Sequence, residues 1–344
     1  MKYEVTIGIP VYNAERFIGR SLGSALMQSF GSIEFLVIDD CSTDGTLDVV
    51  RRLQEEHPRG GDIRIVTQPV NKGVGAARNR IIGEMRGRYL FFLDADDTMT
   101  PDAVACLHEN AARCSAELVF GSYEVVSESN PDAMPERHVY PDADLLGADR
   151  LACYAFRKYG GIQVQIWNCL ISRELLGRTG LRFLDITMGE DAIFIKQLVT
   201  MAERAVLRPE VTYRYIHRDN SLTNLQRRDH IDKSEIILNM ETGDILKRYA
   251  ASLSGKPYLG NWCFNVVMDG FYMICSVLKK EDIIRPGLTY AELNHFLAHP
   301  LRLTEIMRLK SLRAKNLLLY ALWKLPPVLS VSAVKALGRA KGLI

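Results

Sequence analysis

The sequence predicts an α/β fold: a doubly wound, mostly parallel sheet followed by a helical region. Three observations predict it. Over the first 127 residues, short apolar runs alternate with amphipathic segments at the spacing of strand–helix units. The run Arg88-Tyr89-Leu90-Phe91-Phe92-Leu93 reads as apolar throughout, as in a parallel strand covered on both faces. Beyond about Asn224 only the helical period remains.

Taken in order, Glu4–Pro10 reads as the first strand. A helix follows from about Ala14 to Gln28, with Phe17, Ile18, Leu22, Ala25 and Leu26 at helical spacing. Glu34–Asp40 is the second strand, and Ser42, Thr43 and Asp44 offer caps for a helix carrying Leu47, Val50 and Leu53. Arg64–Thr67 is the third strand, Gly75–Met85 the next helix, and Arg88–Leu93 the fourth strand. A helix over Asp102–Cys114 leads to a strand beginning at Leu118. The stretch 128–148, rich in Pro, Asp, Ser and Glu, reads as a surface excursion, and 149–159 as a short helix. Gln163–Ile171 and Val211–Tyr215 read as strands, with a helix over Asp191–Ala202 between them. Helices over Ile236–Ile245 and Asn261–Leu278 follow. Boundaries fall near residues 127, 224 and 300.

Composition supports a globular chain, with 47% hydrophobic and 24% charged residues in 344. The net charge of +2 is unevenly spread: residues 301–344 hold nine Lys/Arg against one acid, Glu305, which leaves the tail at +8 and the first 300 residues at −6. An acidic body without a recognisable nucleic-acid module argues against DNA or RNA as a partner. The seven cysteines form no C-x-x-C pair and fit a reducing compartment, as small apolar fillers. Met1–Thr6 runs straight into a strand without a secretory pattern, and no stretch reaches the ~18 apolar residues of a spanning helix. A cytoplasmic location is expected.

Chemistry gathers at the strand ends. Asp94-Ala95-Asp96-Asp97 follows directly on Phe91-Phe92-Leu93. Carboxylates so crowded repel one another unless a cation or proton intervenes, and hard oxygen ligands suit Mg²⁺ or Mn²⁺ and a phosphate-bearing substrate. Capping by Asp97 or Thr98 of a helix starting near Pro101 is the plainer alternative. Pro10-Val11-Tyr12-Asn13 places a ring suited to stacking on a nucleobase beside a stiff turn. Asp39-Asp40 ends the second strand, where a carboxylate can accept from a uracil or guanine ring N–H. Asn71-Lys72-Gly73-Val74-Gly75-Ala76-Ala77-Arg78 allows close backbone approach, with Lys72 and Arg78 as cations for a diphosphate. It has neither the Walker A nor the G-x-G-x-x-G spacing. Glu190-Asp191 opens an apolar helix, where an acid is favourable by dipole alone and can also serve as a general base.

Together these motifs, in this order and spacing, resemble the family 2 inverting glycosyltransferases of GT-A fold, particularly bacterial capsule and lipopolysaccharide enzymes. The matching segments are Pro10–Asn13, Val37–Asp40 with Ser42–Thr46, Asn71–Gly73 with Ala77–Asn79, Asp94–Asp97, Glu190-Asp191 and the aromatic segment Tyr213–Ser221. Cys169 stands where relatives often place a Lys. The resemblance implies a GT-A domain over 1–224 (a nucleotide-binding half to 127, an acceptor half after it), a helical extension over 225–300 and the basic tail. It implies transfer of a sugar from a nucleoside-diphosphate sugar, a UDP-sugar above all, to a hydroxyl of a saccharide or lipid-linked saccharide, by a single inverting displacement. Tyr12 and Asp40, with Pro10, Val11 and Asn13 around them, would hold the nucleobase. Asp96 would touch the ribose, Asp97 the metal (Mn²⁺ or Mg²⁺) with Asp96 and His217 beside it, and Asp94 would support them. Asp191 would be the base, oriented by Glu190, and His217 and Arg218 would close over the diphosphate. A nucleotidyltransferase and a nucleotide-sugar-binding protein without turnover are the competing readings. The former calls for a Gly-rich basic loop where Pro10–Asn13 stands; the latter is disfavoured by Asp97 and Asp191.

The tail segment Asn316–Pro327 is apolar, basic and aromatic. It is expected to lie on anionic lipid at the inner face of the cytoplasmic membrane, the alternative being a helix packed on the body.

Overall fold

In the computed structural model, which describes residues 2–130, 133–157, 161–218 and 230–344, the apolar run after Lys2 forms β1 (Tyr3–Val11), the strand about which the sheet is wound. The chain continues through α1 (Glu15–Leu26), β2 (Ile33–Asp39), α2 (Thr46–Glu56), β3 (Ile63–Thr67), α3 (Val74–Glu84) and β4 (Gly87–Phe92). β2 and β3 lie parallel on one side of β1, and β4 lies parallel on the other. The winding direction therefore reverses between β1 and β4. In an open α/β sheet such a switch point opens a crevice outside the carboxyl ends of the strands.

Every residue of β2 is buried, and in β1 only Glu4 is not. Ile18, Leu22, Ala25 and Leu26 of α1 pack with Val37 and Phe91 in one core. β4 can start against β1 because Gly87 has no side chain: a Cβ there would lie 2.4 Å from the Thr6 nitrogen.

The sheet is completed by β5 (Thr98–Met99), α4 (Ala103–Cys114), β6 (Leu118–Ser127), β7 (Glu136–His138), β8 (Ala143–Leu146), α5 (Arg150–Arg157), β9 (Cys169–Ser172), α6 (Arg173–Thr179), α7 (Glu190–Met201) and β10 (Arg204–His217). The strand order is β3-β2-β1-β4-β9-β6-β10-β5, with β7 beside β6 and β8 beside β10. β9 is antiparallel to both β4 and β6, whereas β6 and β10 run parallel. Three features differ from the sequence reading. The excursion 128–148 contains β7 and β8, and β8 is tied down by Asp144, which accepts from Arg113 at 3.0 Å and Arg208 at 2.6 Å. The strand expected over Gln163–Ile171 begins only at Cys169, because Asn168 takes a positive φ of 57° and turns its amide onto Ser122 O at 3.1 Å. Neither Asp97 nor Thr98 caps α4: Thr98 belongs to β5, and Asp102 precedes the first helical residue.

Apart from α5, most of which falls in the second unit, these elements make up a first compact unit, Met1–Leu151, Val164–Ile186 and Glu190–Ser221; a second comprises Ala152–Gln163, Thr187–Gly189 and Leu222–Ile344. Asp219, Asn220 and Ser221 of the late aromatic segment lie outside the described residues. The second unit contains β11 (Ile231–Asp232), α8 (Lys233–Tyr249), α9 (Leu259–Lys279), β12 (Ile284–Arg285), α10 (Tyr290–His295), α11 (Leu303–Ile306), α12 (Arg313–Lys324) and α13 (Pro327–Ala340). α9 is its axis, with Val267, Phe271 and Ile274 buried. Leu319 of α12 and Val331 and Val334 of α13 join the same core, so residues 301–344, expected as a separate tail, are part of the helical unit. No helix among the described residues is long and apolar enough to cross a membrane.

Candidate active site

The carboxylate run after β4 turns sharply, with Asp97 N donating to Asp94 O at 3.2 Å. α1 fixes the turn from below: Ser21 Oγ donates to Asp94 O at 2.9 Å and Arg20 to Asp96 O at 3.0 Å. The three side chains then part. Asp97 is only 1% exposed. Its oxygens accept from the Tyr213 hydroxyl and from Ile216 N, both at 2.8 Å. Burial, reinforced by Asp94 and Asp96, pushes its carboxyl up to about 8. The expectation that Asp97 holds the metal therefore does not match its placement: both oxygens are engaged in stitching the turn to β10.

Asp94 and Asp96 remain partly accessible. Arg218 bonds an Asp96 oxygen and stacks over the Phe17 ring, 4.3 Å from its centroid. Burial and Asp94 raise the Asp96 carboxyl, against the lowering by Arg218. Two crowded carboxylates at an accessible rim fit Mg²⁺ or Mn²⁺, ions held by one or two protein carboxylates plus substrate phosphates. No group of three His, Cys, Asp or Glu residues that could hold a metal forms among the described residues, so the expected trio with His217 is not assembled. His217 ends β10, where its carbonyl accepts from Glu128 N at 3.0 Å.

Arg78 is also placed differently from the sequence reading. Rather than facing a diphosphate, it is buried in α3 and bridges two carboxylates, donating to Glu190 at 2.8 Å and to Asp94 at 3.2 Å. Burial works against its charge, but Asp94, Asp191 and Glu190 outweigh it and raise its pKa. The next residue, Asn79, clamps Phe183 through two bonds of 2.8 Å, and Phe183 stacks on Phe194 of α7 at 4.0 Å. α3 thus sets where α7 begins. Asp191, in the first turn of α7, is pushed up to about 6 by burial, with Glu190 raising it further and Arg78 lowering it. A carboxylate with that pKa is ionised at neutral pH and still basic enough to take a proton.

On the other side of the switch point, Pro10 and Val11 are buried strand residues in register with Ile38 and Asp39, so they shape the crevice and do not line it. Tyr12 is 50% exposed, its ring open to a partner. Asn13, at a φ of 48°, accepts from Thr43 N at 2.8 Å and so joins the loops after β1 and β2. Asp40, expected to hold the nucleobase, is buried and already used: it accepts from Gln68 at 2.7 Å, Lys72 N at 2.8 Å and Gly73 N at 2.7 Å. Its work is to hold the glycine loop, where Gly73 takes a φ of 84° that favours glycine. Lys72 is exposed beside it. The neighbouring Asp39 was not singled out from the sequence, yet its Oδ2 is buried with no partner, while Oδ1 accepts from Ser42 N at 3.1 Å. Asp39 is fully buried at the end of β2, so this oxygen is a polar atom without a partner among the described residues. Phe17 and Tyr213 were likewise missed as site builders. Only the proximity of Tyr213 to Arg218 in the late aromatic segment could have marked it. Cys169 is buried in β9 opposite Phe120 and reaches no accessible surface.

A switch-point crevice with a carboxylate rim defines the class of GT-A sugar-nucleotide transferases. The model described as Glycosyl transferase family 2 matches residues 6–178, half of the chain, and the chain belongs to that family. The succinoglycan biosynthesis protein ExoO of Rhizobium meliloti is 31% identical over 235 residues, 67% of this chain and 65% of that protein. The chain thus covers less than two thirds of that relative's length. Among solved structures, S. aureus TarS 1-349 in complex with UDP-GlcNAc matches with a TM-score of 0.69 at 16% identity, over 97% of this chain and 92% of that one. Mannosyltransferase PcManGT from Pyrobaculum calidifontis, in complex with GDP-Man and Mn²⁺, matches with a TM-score of 0.51 at 19% identity, over 98% and 88% of the two chains. At these identities the likeness is one of fold. The chain is a family 2 glycosyltransferase whose relatives serve polysaccharide biosynthesis.

Proposed function

We propose that the chain transfers a sugar from a UDP-sugar to a hydroxyl of a saccharide or lipid-linked saccharide, with inversion, in the assembly of a surface polysaccharide. The observation that carries this reading is the Arg78 bridge. It brings a donor-side carboxylate, Asp94, and the opening of α7, with Asp191, to one rim. Two groups with different tasks, one facing a departing phosphate and one facing an incoming hydroxyl, are what a single displacement needs.

The uracil ring would stack on Tyr12 and give its N–H to the free oxygen of Asp39. Of the two structural neighbours, TarS, with the higher TM-score, is in complex with UDP-GlcNAc and PcManGT with GDP-Man, and we take uridine as the reading to test. Asp94 and Asp96 would hold a divalent ion, which supplies positive charge for the leaving diphosphate when bound. Arg218, paired with Asp96, and Lys72, exposed on the glycine loop, would add positive charge for the diphosphate. Asp191 would take the acceptor proton, and Glu190 would keep it in place through Arg78. No residue need form a covalent intermediate, so the anomeric configuration inverts.

Turnover of UDP-, GDP- and TDP-sugars with Mn²⁺ and saccharide acceptors, followed by proton NMR of the product, tests the reading. A UDP-sugar should give product of inverted configuration. A retained configuration, or turnover confined to a GDP-sugar, would contradict it.

A further inference from the structure

α12 and α13 turn Leu319, Val331 and Val334 to the core of the helical unit. Their outward side carries an apolar stripe between basic residues (Arg313, Lys315, Lys324 and Arg339 are exposed), where a surface helix ordinarily shows polar residues throughout. In α12, Ala314, Leu318 and Ala321 are exposed at helical spacing, and Leu325 continues the stripe past the helix end. Leu318 is 70%, Leu325 41%, Val328 55% and Leu329 56% exposed. Single exposed apolar side chains are ordinary, but a continuous stripe marks an interaction surface. Pro326 and Pro327 set the corner between the helices and bring the last three of these residues together in sequence.

The charge within the segment that carries the stripe is all of one sign, although Glu281, from outside it, pairs with Lys335 of α13 at 3.7 Å. From Ile306 to Ile344 there is no Asp or Glu, against eight Lys/Arg. Lys324 lies 3.9 Å from the Trp323 ring centroid and 5.5 Å from that of Tyr320, so aromatic rings and an ammonium share the border of the apolar strip. Such rings favour the boundary between apolar and wet surroundings. A second copy of the chain would set this cationic surface against itself with no acid to answer it. No helix among the described residues is long and apolar enough to cross a membrane, and an apolar stripe bordered by cations suits adsorption at the interface.

We infer that the α12–α13 corner docks on an anionic lipid bilayer: Leu318, Leu325, Val328 and Leu329 enter the headgroup–acyl boundary, and Lys315 and Lys324 meet the anionic headgroups. The surface is independent of the catalytic reading. It would hold a transferase where lipid-linked acceptors are found.

Flotation of the full chain with vesicles tests this, using phosphatidylcholine alone and an equal mixture with phosphatidylglycerol. The chain should float with the mixture, not with phosphatidylcholine alone, and salt should release it. Leu325→Ser, Val328→Ser and Leu329→Ser combined should lower partitioning about a hundredfold. Lys315→Glu with Lys324→Glu should lower it at least about fivefold for each charge. All these residues are exposed, so both variants should keep the wild-type unfolding temperature and their turnover of donor in solution. Absence of flotation with the mixture, or equal flotation by wild type and variants, would overturn the inference. So would a concentration-dependent dimer that the triple substitution disperses, since a second copy would then be the occupant.

Discussion

Arg78 is the residue on which both sides of the rim depend. Removing one partner of a buried, hydrogen-bonded charge group costs about 3–5 kcal/mol, because the others are left unpaired. Arg78→Lys keeps the charge but not the fork that reaches Glu190 and Asp94 at once. The effect should appear in the pH profile. Asp191 must be ionised to accept a proton, and burial raises its pKa from the ordinary 3.8 to about 6. The acid limb of kcat should therefore lie near pH 6, with activity falling as pH drops through it. Arg78 lowers that pKa, so Arg78→Met should move the limb to higher pH, and Arg78→Lys should move it less. An acid limb near about pH 4, the place of an unshifted carboxyl, would count against Asp191 as the base. A calorimetric series with UDP and Mn²⁺ checks the assignments around it. Asp39→Asn should weaken UDP binding about tenfold, through loss of one charge-assisted bond. Asp96→Asn should remove the Mn²⁺ dependence of binding, and Asp97→Asn should leave that dependence in place while lowering the unfolding temperature. Equal loss of Mn²⁺ dependence in both variants would return Asp97 to the metal.

At the scale of elements, the first four strands were legible because each holds a short apolar run between helical segments, and in β1, β2 and β4 that run is buried on both faces. The loops after β1, β2 and β4 were legible as chemistry because prolines, carboxylates and small residues collect there. What each oxygen does was not, since its partner is remote in sequence. Asp97 is held by Tyr213 and Ile216, and Arg78 by Glu190, more than a hundred residues away. Asp40 and Asp39 are neighbours with identical side chains, and only the folded loop tells them apart, with Lys72 N and Gly73 N on Asp40 and Ser42 N on one oxygen of Asp39 while the other has no partner. β9 was misjudged in length for a similar reason: Ile166 and Trp167 read as strand, yet Asn168 interrupts the run by bonding to the backbone of β6. Asn168→Ala should cost about 2–3 kcal/mol, read from urea unfolding, because two buried carbonyls lose their donor and a left-handed position loses a residue that tolerates it. An unchanged midpoint would show that β6 and β10 do not need this stitch.

At the scale of the whole molecule, the sequence reading sets a sheet-bearing part over 1–224 before helical segments, with the excess of basic residues after 300, whereas the second compact unit also takes in Ala152–Gln163 and Thr187–Gly189. The structure also shows what composition could not: the basic segment supplies core side chains and an outward apolar stripe at the same time. Helical period gave the first property, but which side chains are covered depends on α9 and α10, whose packing no local pattern reports. In the proposed mechanism the donor site and the base, Asp191, would meet at the switch point of the sheet-bearing part. That claim is tested most directly by measuring transfer and UDP-sugar affinity side by side in wild type and Asp191→Asn. The account expects kcat to fall roughly 10²–10⁴-fold with the dissociation constant nearly unchanged. Transfer at the wild-type rate in that variant would contradict it.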